Sequence, residues 1–190
     1  MAKGQLVKYV PEEDIQRILD YFKEKNLIVM YSISTVCLNT GLRVSDVLGL
    51  EFSNLENTSL KEIKTKKMKD LTFNYKCLEC FDLLKEFYKQ KGFKNYDSGF
   101  VFKSMIRPRS AITYQGVNFR MKEMKKELNI NYPMNTHSFR KAWGRKVYYS
   151  FNKDLALVMK ALNHVDPAVT LRYIGIDEDD LSKIYKNVIF

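Results

Sequence analysis

Cysteine, proline and histidine are scarce in this chain: three, four and two residues among 190. An odd, low cysteine count argues against the disulfide framework of a secreted domain. No repeat, low-complexity tract or Pro/Gly-rich linker divides the sequence, so its length indicates one large domain or two small ones. Long hydrophobic runs are missing as well. The longest candidate, Leu27 to Leu38, is interrupted by Ser32, Ser34 and Thr35, and falls short of the roughly 18–20 apolar residues of a membrane span. Met1 to Lys8 lack the apolar core of a secretory signal. At 45% apolar residues the chain is not a disordered tail, and it is long enough to bury roughly two thirds of its unfolded surface without a disulfide or metal staple. These absences lead to the expectation of a reduced, soluble, cytoplasmic protein with no membrane partner.

Negative charge is also in deficit. Thirty-two Lys and Arg face 22 Asp and Glu, a net charge of +10. Eleven cations lie between Val101 and Lys146, among them Lys103, Arg107, Arg109, Arg120, Arg140, Lys141 and Arg145, and only Glu123 and Glu127 oppose them. A second basic run holds Lys61, Lys64, Lys66, Lys67 and Lys69, whereas Asp177 to Asp180 is acidic. Such concentration suits a polyanion such as nucleic acid, and equally a well-solvated surface.

Helical spacing dominates. Pro11 followed by Glu12, Glu13 and Asp14 reads as a helix start, with Ile15, Ile18, Leu19 and Phe22 on its apolar face. A second helix is predicted from about Asn26 to Thr40 with Gly41 as its stop, and a short one over Ser45 to Leu50. Ser59–Lys64 and Asp70–Asn74 read as two strands around a lysine-rich turn. Helical periodicity returns at Cys77–Tyr88, Val117–Leu128, Phe139–Val147 and Leu155–Leu162, and Asp166-Pro167 opens a further helix. The expected fold is α+β and mainly α-helical: helices around one core with a small antiparallel sheet. Cys77 and Cys80 could begin a zinc site, but no second Cys/His pair follows, and both fall near an apolar stripe with Phe81 and Leu84, as core cysteines do.

Chemistry-bearing residues recur in four places. Gly41-Leu42-Arg43-Val44-Ser45-Asp46 puts a cation and a carboxylate three apart, where the acid could orient the guanidinium or simply form a surface ion pair. The lysine hairpin follows. Thr136-His137-Ser138-Phe139-Arg140 places His137 and Arg140 on one helix face. Leu162-Asn163-His164 is followed nine positions after the histidine by Tyr173.

Singly these patterns are weak, but in this order they resemble the active site of the tyrosine recombinases, the phage integrase family, from about Pro11 onward. The resemblance implies the catalytic fold of that family over residues 1–176, with a tail helix over 177–190. It implies site-specific cleavage and rejoining of double-stranded DNA through a 3′-phosphotyrosyl intermediate, without metal or other cofactor. Tyr173 would be the nucleophile, Arg43 and Arg140 the phosphate clamp, His137 an acid–base, His164 a phosphate hydrogen-bonder and Asp46 a support. Lys64, which precedes the small turn residue Thr65, would protonate the leaving 5′ oxygen. Lys66, Lys67, Lys69, Arg107, Arg109, Arg120, Lys141 and Arg145 would contact the DNA backbone. Asn163 stands where the family often has glycine. The family's N-terminal core-binding domain is expected to be absent. Leu181, Ile184, Tyr185 and Val188 form a stripe that could dock on a neighbouring copy in a DNA-bound dimer or tetramer, or pack on its own domain; accessory proteins are also compatible. The rival readings are a type IB topoisomerase that relaxes supercoils and a catalytically silent DNA-binding regulator.

The chemistry suits these residue types. A phenol can attack a phosphodiester but needs help losing a proton, its reference pKa being about 10. Arginines stay protonated and can meet the charge of the phosphoryl transition state with bidentate donors.

Overall fold

The computed structural model describes residues 7–57 and 59–176. Among them the order is α1 (Glu12–Glu24), α2 (Ile28–Thr40), α3 (Val44–Leu48), a 3-10 turn (Phe52–Asn54), β1 (Ser59–Lys61), β2 (Met68–Asp70), α4 (Tyr75–Gln90), α5 (Tyr114–Glu127), α6 (His137–Ser150), α7 (Leu155–Leu162) and α8 (Pro167–Ile174). The mainly helical fold with one small antiparallel sheet is as the sequence predicts. The tail helix expected over 177–190 lies outside the described residues.

Helix α1 begins after Pro11 with three acidic residues in its first turn, which complement the helix dipole, and it buries Ile18, Tyr21 and Phe22. Helix α2 is buried on most sides because α1, α3, α4 and α6 all pack against it. It stops at Gly41, whose φ of +59° is the left-handed conformation that glycine adopts without penalty. A side chain there would also run into the Trp143 ring, so Gly41 lets α6 approach the end of α2.

The strands are shorter than predicted. They pair antiparallel with Ser59 opposite Asp70 and Lys61 opposite Met68. Residues 71–74 are not strand: Leu71 and Phe73 are buried in the core and Asn74 caps α4, its side chain accepting from the Cys77 amide. Segment 91–113 is irregular and is pinned by Tyr88, whose hydroxyl donates to the Val101 carbonyl (3.0 Å) and accepts from the Lys103 amide (2.9 Å).

Most apolar side chains form one large core spanning α1 to α6. A second, small core consists of Val158, Leu162, Ile174 and Ile176, flanked by Trp143, Val147, Leu171 and Tyr173. It joins α7 and α8 to the outer side of α6. Gly144 of α6 lets Ile174 and Leu162 approach closely, a Cβ there lying only 3.0 and 3.2 Å from their side chains.

Candidate active site

Helix ends deliver most of the side chains in question. Arg43 caps α3, His137 is the first residue of α6 with Arg140 one turn on, His164 follows the left-handed cap of α7 at Asn163, and Tyr173 lies in the last turn of α8. Arg140 binds them together. It is 2% exposed, and its guanidinium donates to the carbonyl of Gly41 at the end of α2 and, at 2.7 Å, to that of Leu162 at the end of α7. The Tyr173 phenol lies within hydrogen-bonding reach of Arg140. Burial raises the Tyr173 pKa above its ordinary 10, and the Arg140 charge and hydrogen bond oppose that rise.

Both histidines are kept neutral. Burial lowers the His137 pKa, and the charges of Arg140, Lys64, Arg43 and Lys141 lower it further. Lys64, exposed on the hairpin, therefore acts electrostatically on the same site. Burial and then Arg140 bring His164 down to about 4. Its ring meets Tyr173 edge-on at 5.0 Å, and Nδ1 lies 3.3 Å from Thr170 Oγ1. That hydroxyl already donates to the Asp166 carbonyl at 2.7 Å. It must therefore accept from His164 Nδ1–H, which leaves Nε2 of the neutral ring without a proton.

Two carboxylates support this cluster, and the one that pairs with Arg43 is not the one three residues along the chain. Asp46 does not pair with Arg43; its Oδ1 accepts from the Ile63 amide at 2.7 Å and so holds the lysine hairpin, with burial pushing its pKa up. The partner of Arg43 is Glu62, 2.6 Å from Nη1. Glu62 is fully buried, and burial alone would raise its pKa. A hydrogen bond from Thr65 and the charges of Arg43 and Arg140, with the Asn163 amide alongside, outweigh that and hold it ionised. In the sequence Glu62 stands out only as the one acid between Lys61 and Lys69.

The proposed DNA-contact set divides. Lys66, Lys67, Arg107, Arg109 and Arg120 are exposed, Arg120 pairing with Glu123. Lys69 and Lys141 are not surface cations, contrary to expectation. Lys69 is 8% exposed, donates to the Thr40 carbonyl (3.3 Å) and lies 5.5 Å from the Trp143 ring; burial and the nearby Arg140 lower its pKa to about 8. Lys141 donates to the Val7 carbonyl (2.7 Å) and lies over the Tyr173 ring. Arg145 is also turned inward: it stacks on Tyr9 and Tyr149 and donates to the carbonyls of Ile174 and Gly175, the end of the helix that bears Tyr173. Cys77 and Cys80 are buried, as core cysteines are.

Residues 8–179 match the model of the Phage integrase family. A probable integrase/recombinase, YoeC, of Bacillus subtilis (strain 168) is 33% identical over 178 residues, covering 92% of each chain. The tyrosine recombinase XerC of Caldanaerobacter subterraneus subsp. tengcongensis is 25% identical over 179 residues, 91% of this chain but 48% of that one. Among solved structures, the fold is similar to XerA recombinase (TM-score 0.72, 18% identity, 100% of this chain and 67% of that one). It is also similar to XerH site-specific recombinase in a post-cleavage complex with a palindromic difH substrate (TM-score 0.71, 20% identity, 97% and 54%).

Proposed function

Because the chain belongs to the phage integrase family, we propose that it is a site-specific recombinase that cuts and rejoins double-stranded DNA through a 3′-phosphotyrosyl intermediate. The observation that carries this reading is the gathering of Arg43, His137, Arg140, His164 and Tyr173 around one guanidinium, with their charges mutually coupled.

In this mechanism the Tyr173 phenol attacks the scissile phosphorus. A Tyr–O–P bond forms, the P–O5′ bond breaks, and the phenolic proton passes to the neutral His137. Lys64 gives a proton to the departing 5′ oxygen. Arg43 and Arg140 meet the charge on the non-bridging oxygens, a task of positioning and electrostatics. Bound phosphate supplies the negative charge that draws a proton onto His164, so both its nitrogens can donate. The bond energy stays in the phosphotyrosine, so a second 5′-hydroxyl reverses the step and joins a different strand. No metal or other cofactor enters these steps. Exposed cations of the hairpin and of the 104–110 loop would grip the flanking backbone, and strand exchange calls for two or more copies on the DNA.

Lys69 is a second candidate for the proton donor, favoured by its burial and its pKa of about 8. Replacing the bridging 5′ oxygen by sulfur gives a leaving group that needs no proton. Such a substrate restores the Ala variant of whichever lysine is the acid.

The decisive experiment is covalent capture from a library of nicked, randomised duplexes. The expected product is an SDS-resistant adduct mapping to Tyr173 and enriched for one sequence, absent from Tyr173→Phe. An adduct on another tyrosine overturns the assignment, and relaxation of plasmid without sequence preference replaces recombination by topoisomerase action.

A further inference from the structure

The proposed chemistry leaves a fully buried carboxylate without a task. The hairpin contains five lysines and two acids; Asp70 is exposed, whereas Glu62 is the residue it buries completely. Removing a carboxylate from water is costly unless partners replace its hydration. Each partner of Glu62 comes from a different part of the site. Arg43, at 2.6 Å, caps α3; Thr65, which donates its hydroxyl, is the neighbour of Lys64; and the Asn163 amide, beside the carboxylate, precedes His164. The backbone of Glu62 also closes the turn. Its N–H donates to the Lys67 carbonyl at 2.9 Å, and its carbonyl accepts from the Lys66 N–H at 3.0 Å. With the Ile63 amide held by Asp46, the residues on both sides of Lys64 are anchored while Lys64 itself projects into solvent.

Asn163 fits the same arrangement. Its φ is +54°, a conformation that glycine or asparagine takes most readily. Glycine there would satisfy the backbone but bring no amide to Glu62.

We propose that Glu62 is a positioning residue that ties the lysine hairpin to Arg43, so that the Lys64 ammonium and the Arg43 guanidinium reach the same phosphate together. The inference rests on Lys64 as the proton donor. A buried ion pair that served stability alone would change the amount of active protein without regard to the leaving group. A residue that delivers the donor has an effect that depends on whether the leaving group needs a proton.

The test is single-turnover cleavage of the captured site with bridging 5′ oxygen or 5′ sulfur, under conditions where circular dichroism shows each variant folded. Lys64→Ala is expected to lose roughly 100-fold on oxygen and to recover on sulfur. Glu62→Gln is expected to lose roughly tenfold on oxygen, a misplacement effect, and to recover likewise. Thr65→Val, which keeps the buried charge and removes only the hydroxyl donor, is expected to show a smaller loss of the same kind. It carries the test if Glu62→Gln does not fold. Equal losses on oxygen and sulfur, or no loss on oxygen, overturn the role of Glu62. Failure of Lys64→Ala to recover on sulfur instead strikes the assignment of Lys64.

Discussion

The two hydrophobic cores differ in size and in what they carry. The large one, built around Phe22, Val36, Leu84 and Phe102, supports Arg43 and the lysine hairpin. The small one has four buried side chains and supports His164 and Tyr173. Helix α6 belongs to both, since Phe139 and Ala142 face the large core while Trp143 and Val147 face the small one. Local stability follows buried apolar contact. Arg43 and the lysine hairpin thus sit on the firmer part of the described molecule, and the assigned nucleophile, together with His164, on the part more easily displaced. That division suits a reaction in which the tyrosine must approach a phosphate, hold it covalently and then release it.

The comparison can be broken most forcefully from the large side. Phe81, packed edge-on against Phe73 at 5.0 Å, is expected on truncation to alanine to cost about 3–5 kcal/mol. The denaturant midpoints followed by circular dichroism and by DNA cleavage should both fall by a similar amount relative to the unsubstituted chain; a fall in only one of them would mean that the large core does not support both. Leu162→Ala in the small core should cost about 2–4 kcal/mol, but locally. Hydrogen exchange should quicken in α7 and α8 and stay slow in α2 and α4, and uniform acceleration would mean the two cores are one cooperative unit. Gly41→Ala strikes the seam, combining left-handed strain with overpacking against Trp143, for about 2–3 kcal/mol. Adding Trp143→Leu should recover part of that loss, and strict additivity of the two would place the strain elsewhere.

The mildest probe is pH. The folded His164 pKa is about 4 against an ordinary 6.5, so between those values the unfolded chain binds more protons. Stability due to the neutral ring is therefore complete above about 6.5 and is lost as pH falls towards 4. An NMR titration of the His164 ring should show its midpoint near 4 without DNA and higher with it. A midpoint near 6.5 in the free protein would mean that the ring is not buried as described.

Helices were the legible part of this sequence, because a one-sided apolar stripe at 3.6-residue spacing survives in most of them. The hairpin was legible in kind but not in extent. Leu71 and Phe73 alternate as strand residues do, yet their burial comes from α4 and the large core rather than from a paired strand. At the site, motif order brought out the two arginines, two histidines and the tyrosine. It missed Glu62, because a glutamate among lysines looks solvated until the fold shows that the turn closes over it. Charge counting misled for a related reason. Lys69, Lys103 and Lys141 lie inside, their ammonium groups held by backbone carbonyls, and composition does not record which lysines meet such carbonyls.

The hold of Arg140 on two carbonyls has a consequence for the arrival of DNA. Gly41 and Leu162 stand at the ends of α2 and α7, where helices leave carbonyl oxygens unpaired and the dipole is negative. Those two oxygens replace the water that a guanidinium would otherwise gather. The cation is dehydrated during folding rather than during catalysis, so an incoming phosphate would meet a donor with no hydration shell left to shed.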